Sequence, residues 1–228
     1  RLYDGELEHR FVLLDGQTGS GKTEILHRLS DRGAQTLDLE GLAQHRGSLF
    51  GAIPGRPQPS QKLFESRLLA ALEALDPGRP VVAEAESSKI GERMIPPALW
   101  SRLAEAPRIE LRADAAERAR YLVGAYRDVI ADRPYLEAAF ARLPVHPSRE
   151  RIANWRALAD AGEFETLVRA VMALHYDPAY LRARKKHARP RLDLIELAAL
   201  DGPSQETAAE RILAALDAVQ AGRESLRR

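Results

Sequence analysis

An α/β fold, a parallel sheet flanked by helices, is predicted for this 228-residue chain by three observations. A short apolar run, Phe11-Val12-Leu13-Leu14, leads through a glycine-rich segment into apolar residues at helical spacing, Ile25, Leu26 and Leu29. Further strand-like runs then alternate with helical patterns, the arrangement that builds a parallel sheet. Third, Gly16-Gln17-Thr18-Gly19-Ser20-Gly21-Lys22-Thr23 fits G-x-x-x-x-G-K-[ST] at every fixed position. Between a strand and a helix, that motif means a phosphate-binding P-loop. Its glycines let several backbone N–H groups point at one anion, and the helix N-terminus adds a favourable dipole. Lys22 reaches the terminal phosphates and the Thr23 hydroxyl can ligate Mg²⁺.

The elements follow in order. Residues 1–10 read as a tail or linker, and 11–228 as the P-loop domain. The chain starts at Arg1 rather than Met, which suggests a piece of a longer protein. After the first helix Gly33 gives a stop, and Thr36-Leu37-Asp38-Leu39 reads as a second strand. A Gly- and Pro-rich loop spans Gly41 to Pro59, longer than a simple connection needs. Ser60 can cap the next helix, whose apolar residues include Phe64, Leu68 and Leu72. Asp76 to Pro80 is a turn, and Val81-Val82-Ala83-Glu84-Ala85 a buried strand. Arg108-Ile109-Glu110-Leu111 is a fourth strand and residues 192–197 a fifth, before a closing helix with Ile212, Leu213, Leu216 and Val219. Between the last two strands, about 114–190, the pattern is helical throughout: a large insertion or subdomain, suited to a lid.

Composition narrows the function. Lys plus Arg number 34 against 33 Asp plus Glu, so overall charge announces no nucleic-acid partner and any such argument must be local. No apolar run approaches the roughly 18 residues of a membrane span, which predicts a soluble, cytoplasmic chain without a membrane partner. Cysteine is absent, which excludes disulfides, thiolate metal sites and a cysteine nucleophile within these residues. Neither an Asn-Lys-x-Asp guanine-reading motif nor a Leu-Ser-Gly-Gly-Gln signature occurs, leaving the kinase-like branch of P-loop NTPase folds.

Several residues can carry chemistry. Glu84 and Glu86 lie at the carboxyl end of the third strand on one side of it, Glu84 suited to Mg²⁺ and Glu86 to substrate. A loop rich in donors brings Asp38, Glu40, His45, Arg46, Ser48, Gln58, Ser60, Gln61 and Lys62 near the cradle, suiting a second anion or a base, or forming only a polar surface. Lys89 can stabilise developing phosphate charge or be surface. Arg118 and Arg120 follow the fourth strand, where lid arginines clamp phosphates, or lie on a solvated helix face. Arg182, Arg184, Lys185, Lys186, Arg189 and Arg191 crowd ten positions with no acid among them, after Tyr176 and Tyr180, the composition of a patch for nucleic-acid phosphates.

Gly16 to Thr23, DLEGLAQHRGSLFG (Asp38 to Gly51), PQPSQKLFE (Pro57 to Glu65) and VAEAESSKIG (Val82 to Gly91) together resemble tRNA 2-selenouridine synthase, from about Phe11 through the closing helix. The resemblance implies an enzyme acting on wobble 2-thiouridine of tRNA: geranylation of the sulfur from geranyl diphosphate, then replacement by selenium from selenophosphate. It also implies a rhodanese-like domain with a catalytic cysteine, in cis or in trans, for which there is no room before Phe11. In that setting Gly19, Gly21, Lys22 and Thr23 cradle the diphosphate with Mg²⁺, His45 or Glu86 positions the thiouridine, and the Arg182 to Arg191 stretch holds tRNA. Two other readings stand beside it: a small-molecule or nucleoside kinase using ATP or GTP, and a non-catalytic module whose nucleotide or diphosphate occupancy shapes a tRNA-docking surface.

Overall fold

In the computed structural model, which describes residues 7–85, 87–144, 147–186 and 189–226, the first apolar run becomes strand β1 (Arg10–Gly16) and the P-loop turns it into helix α1 (Lys22–Asp31). Ile25, Leu26 and Leu29 are fully buried on the sheet side of α1, each worth about 2 kcal/mol of transfer free energy. Strand β2 (Gln35–Leu37) is shorter than expected. Asp38 is not a strand residue: its carboxylate accepts the Gly41 N–H at 2.7 Å and caps helix α2 (Leu39–Ala43). An Asp that can bond its own downstream backbone competes with the ladder, and here it wins. Leu39 and Glu40, expected at the strand's end, are therefore helical, and the Gly41–Pro59 loop begins only after α2.

Ser60 caps α3 (Gln61–Glu73) as expected, accepting from the Leu63 N–H at 3.2 Å. Then come β3 (Pro80–Glu84), a two-stranded hairpin of β4 (Lys89–Ile90) and β5 (Arg93–Met94), α4 (Pro97–Glu105) and β6 (Arg108–Arg112). The hairpin and α4 had no expectation behind them, although Pro97 opens α4 at the position that suits proline. Seven helical pieces follow: α5 (Ala115–Ala125), α6 (Arg127–Ala131), α7 (Arg133–Ala141), α8 (Arg149–Asp160), α9 (Phe164–Val171), a π-helical turn at Met172–Tyr176, and α10 (Asp177–Lys186). Strand β7 (Arg191–Glu196) and helix α11 (Gly202–Leu226) complete the chain.

The sheet order is β2-β3-β1-β6-β7, and every pairing is parallel. Side chains alternate across it. Phe11, Leu13, Val81 and Ala83 pack on the side of α3 and α4, while Val12, Leu14, Val82, Ile109, Leu111 and Ile195 pack with residues of α1 and α11. The helices between β6 and β7 build a further apolar cluster around Phe140 and Trp155. Register places Leu14 beside Glu84, so the end of β3 stands next to the P-loop. Among the described residues no helix is long and apolar enough to cross a membrane.

Candidate functional site

The P-loop has the backbone its glycines predict. Gly19 and Gly21 take φ of 83° and 75°, a region in which side-chain-bearing residues are strained. A Cβ on Gly19 would also stand 2.8 Å from the Leu122 side chain. Lys22 Nζ donates to the Gly16 carbonyl at 3.1 Å, across the loop it is expected to serve. The Thr23 hydroxyl donates to Glu84 at 2.6 Å and lies 3.5 Å from Glu40. Glu84 is 1% exposed. A hydroxyl and carboxylates converging here form an all-oxygen donor set, which suits a hard cation such as Mg²⁺. Glu86 lies outside the described residues.

An open cavity of about 340 Å³ faces this loop, lined by Gly19 through Glu24 together with Glu40, Arg46, Ser48, Tyr121, Tyr126 and Tyr176. Arg46 makes two hydrogen bonds to Asp128, at 3.0 and 2.7 Å, and its guanidinium lies 5.0 Å from the Tyr126 ring centre. Ser48 bonds the Tyr126 hydroxyl at 2.8 Å. Tyr121 bonds Glu24. Burial is the largest cause raising each of these phenols, with Tyr176 pushed up to about 12. They stay neutral hydrogen-bonding groups at physiological pH. Beside this cavity lies a smaller one of about 70 Å³, and the two share Thr18, Ser48, Leu122, Tyr126 and Tyr176. Among the described residues no charged side chain lines the second cavity; Phe50, Leu136, Phe140, Phe164, Leu167 and Val171 do.

The donor-rich loop divides. Arg46, Ser48 and Glu40 reach the phosphate cavity, whereas its glutamines hold backbone. Gln58 donates to the carbonyls of Ala43 and Ile90 and accepts from the Glu92 N–H. Gln61 donates to the Met94 carbonyl and accepts its N–H. These two residues pin the β4–β5 hairpin, Ser60 is a cap, and Lys62 is exposed on α3. Asp38 pairs with His27 at 3.1 Å, and Lys89 with Glu92 at 3.2 Å. His45 lines neither cavity; it is buried against Gly51 and Gly91, where the close approach of its ring leaves no space for a Cβ.

The arginines also find partners that spacing did not show. Arg118 is not an open phosphate clamp: it is 3% exposed, donates twice to Asp177 at 2.9 Å and once to the Thr18 carbonyl at 3.1 Å. It joins α5 and α10 to the P-loop. Arg120 is exposed and pairs with Glu117. In the basic stretch, Arg184 and Arg191 reach Glu110 at 2.8 and 3.4 Å. Arg189 donates to the Ala104 carbonyl at 3.2 Å. Arg182 and Lys185 are exposed, and the Lys186 side chain lies outside the described residues. Beneath them Arg108 bridges Asp15 at 2.6 Å and Glu110 at 3.6 Å. Part of the run is thus turned inward, onto buried carboxylates of the sheet.

The site residues that sequence reasoning missed are Tyr121, Tyr126, Glu24 and the apolar lining; Tyr176, expected beside the basic stretch, lines both cavities instead. One signal was available: eight of the thirteen aromatic residues fall between Asp114 and Pro190, more than a solvated helical lid needs.

Burial gives the site region a pH dependence. Desolvation is the largest cause lowering both His45 and His175 below the ordinary imidazole value of 6.5. A histidine depressed in the folded state takes its proton more readily when unfolded. Its contribution to stability is present above 6.5 and is lost as pH falls toward the folded value. Urea midpoints are therefore expected to fall between pH 7.5 and 5.5, and His45→Gln to flatten that slope. An unchanged slope in the variant would assign the dependence elsewhere.

Strand order, P-loop and the Thr23–Glu84 pair define a P-loop NTPase-like protein of kinase-like topology. The chain belongs to the tRNA 2-selenouridine synthase family: the family profile described as "tRNA 2-selenouridine synthase AAA domain" matches residues 9–140. Among curated relatives, the tRNA 2-selenouridine synthase of Marinobacter nauticus is 44% identical over 111 residues, covering 48% of this chain and 29% of that protein. That of Cupriavidus pinatubonensis is 31% identical over 206 residues, covering 78% of this chain and 55% of the relative. The matches thus span from under a third to about half the length of these relatives. A solved gluconokinase from Sinorhizobium meliloti 1021 aligns over 98% of this chain and 100% of its own, with 13% identity and a TM-score of 0.40. The fold assignment rests on the strand order.

Proposed function

We propose that this chain is the prenyl-diphosphate-binding part of a tRNA wobble 2-thiouridine-modifying enzyme. The observation that carries the reading is the joining of an uncharged cavity to the phosphate cavity through five shared residues. Geranyl diphosphate, a diphosphate head on a hydrocarbon tail with no polar group to satisfy, suits both halves. The head lies against the amides of Gly19 to Thr23 with Lys22 on its oxygens, and the tail enters among the residues of α6, α7 and α9. Thr23 and Glu84 would hold Mg²⁺, which when bound supplies positive charge to the diphosphate.

The reaction follows from that placement. The thiouridine sulfur forms a bond to the first carbon of the tail as the carbon–oxygen bond breaks, its electron pair leaves on pyrophosphate, and the N3 proton of the base is released. The chain's own part is to orient the two reactants, exclude water through the apolar chamber, and stabilise the departing charge with Lys22 and the loop amides. Arg182, Lys185 and Arg191 are exposed cations of the basic stretch, among the described residues, and suit tRNA phosphates. With no cysteine here, selenation from selenophosphate is assigned to the enzyme joined to its rhodanese-like domain.

A titration with ATP, GTP and geranyl diphosphate, each with and without thiolated tRNA, tests the reading. Geranyl diphosphate is expected to bind tightest, with transfer to thiolated tRNA in the company of the rhodanese-like domain. Preference for ATP or GTP with phosphorylation of a metabolite and indifference to tRNA would make it a kinase; tight binding with no turnover would make it a docking module.

A further inference from the structure

The uncharged cavity meets the phosphate cavity through some of its lining and the close-packed core behind other parts of it. The residues shared with the phosphate cavity are Thr18, Ser48, Leu122, Tyr126 and Tyr176. Phe140 belongs to the rest of the lining and is 1% exposed. Its ring meets Phe50 edge-on, with centres 6.5 Å apart, and Trp155 at a tilt, with centres 5.4 Å apart. Trp155, Leu143 and Ala159 belong to the same apolar cluster but line no part of the cavity. Phe140 is thus a partition, with open space on one side and close-packed core on the other.

A packed core does not yield to an inserted methylene without cost, because neighbouring side chains must leave their rotamer wells. A tail that stops short of Phe140 gains burial with each carbon. A longer one must push Phe140 into the indole of Trp155, itself 1% exposed. We infer that the apolar cavity measures the length of the hydrocarbon tail carried by a diphosphate, and that Phe140, backed by Trp155, sets the limit. This deepens the prenyl-diphosphate reading and rests on it.

The probes are inorganic pyrophosphate and dimethylallyl, geranyl and farnesyl diphosphates, each prenyl compound one isoprene unit longer than the last, titrated calorimetrically in the presence of Mg²⁺. In the wild type, geranyl diphosphate is expected to bind about a hundred-fold more tightly than the dimethylallyl compound, from the extra buried carbons. The farnesyl compound is expected to bind at least about ten-fold more weakly than geranyl, the direction overpacking dictates. Phe140→Ala is expected to bring farnesyl to the geranyl level while leaving pyrophosphate affinity unchanged. Phe140→Leu, which keeps more of the core volume, is expected to shift the ratio the same way by a smaller step and stands in if the alanine variant does not fold. Farnesyl binding as tightly as geranyl to the wild type overturns the inference, as does a geranyl-to-farnesyl ratio untouched by either variant while geranyl remains preferred. If no tail improves on pyrophosphate, the prenyl reading itself falls and the gauge with it.

Discussion

Lys22→Ala is expected to lower transfer by about 10²–10³-fold, the loss that follows removal of one preorganised group from a developing oxyanion. The fold has little stake in this side chain: its one described hydrogen bond is to the Gly16 carbonyl, at 3.1 Å, and it lines an open cavity. Thermal stability should therefore stay within about 1 kcal/mol of wild type, while pyrophosphate affinity falls alongside turnover. Lys22→Arg is expected to rescue poorly, since a planar fork does not fill the place of a compact ammonium inside a ring of amides. The measurement is single-turnover geranyl transfer to thiolated tRNA in a full-length family member carrying the same substitution, with pyrophosphate calorimetry on this chain. Unchanged transfer there would remove the P-loop from that step.

The second large effect is one of stability. Arg118→Ala is expected to cost about 3 kcal/mol, because it strands Asp177 and the Thr18 carbonyl without the guanidinium that satisfies both. The low end of the range applies, since Asp177 keeps 22% of its side chain in water. For a chain of this size that is a fall of roughly 10 °C in Tm. Arg118→Lys is expected to recover little of it, as two parallel bonds to a carboxylate need the fork. Pairing Arg118→Met with Asp177→Leu removes both charges, and the double variant is expected to be more stable than Arg118→Ala alone. Near-wild-type melting of Arg118→Ala would show that the ion pair is not what holds α10 to the P-loop.

Some of the molecule is legible in the sequence because local chemistry decides it. The P-loop needs glycines at positive φ and a lysine at one offset, so its spacing is its structure. Ser60 announces α3 because a hydroxyl three residues ahead of an N–H satisfies it wherever the helix goes. The apolar runs of β1 and β3 suit a sheet covered on both faces. Asp38 was misread because the same short acidic side chain suits a strand's end and a helix cap, and only the register of Gly41 separates them. Gln58 and Gln61 were visible as donors, but their partners, the backbones of Ala43, Ile90 and Met94, are set by a hairpin too short to leave a pattern. Glu110 gathers Arg184 and Arg191 across more than seventy residues of chain, which no periodicity encodes. Least legible was the apolar chamber, since a cavity is a place where side chains from Phe50 to Tyr176 fail to fill space.

The central place of β1 bears on how the protein is made. This strand leaves the ribosome before both of its neighbours, and one of its edges waits for β6, which emerges only after α3 and α4. Until Arg108 is translated, the backbone of Leu13 to Gly16 offers open hydrogen-bonding groups along that side, the kind of template on which nascent chains associate. Completion of the sheet then waits for β7, beyond the whole helical excursion, and pairing between segments that distant is expected to slow folding.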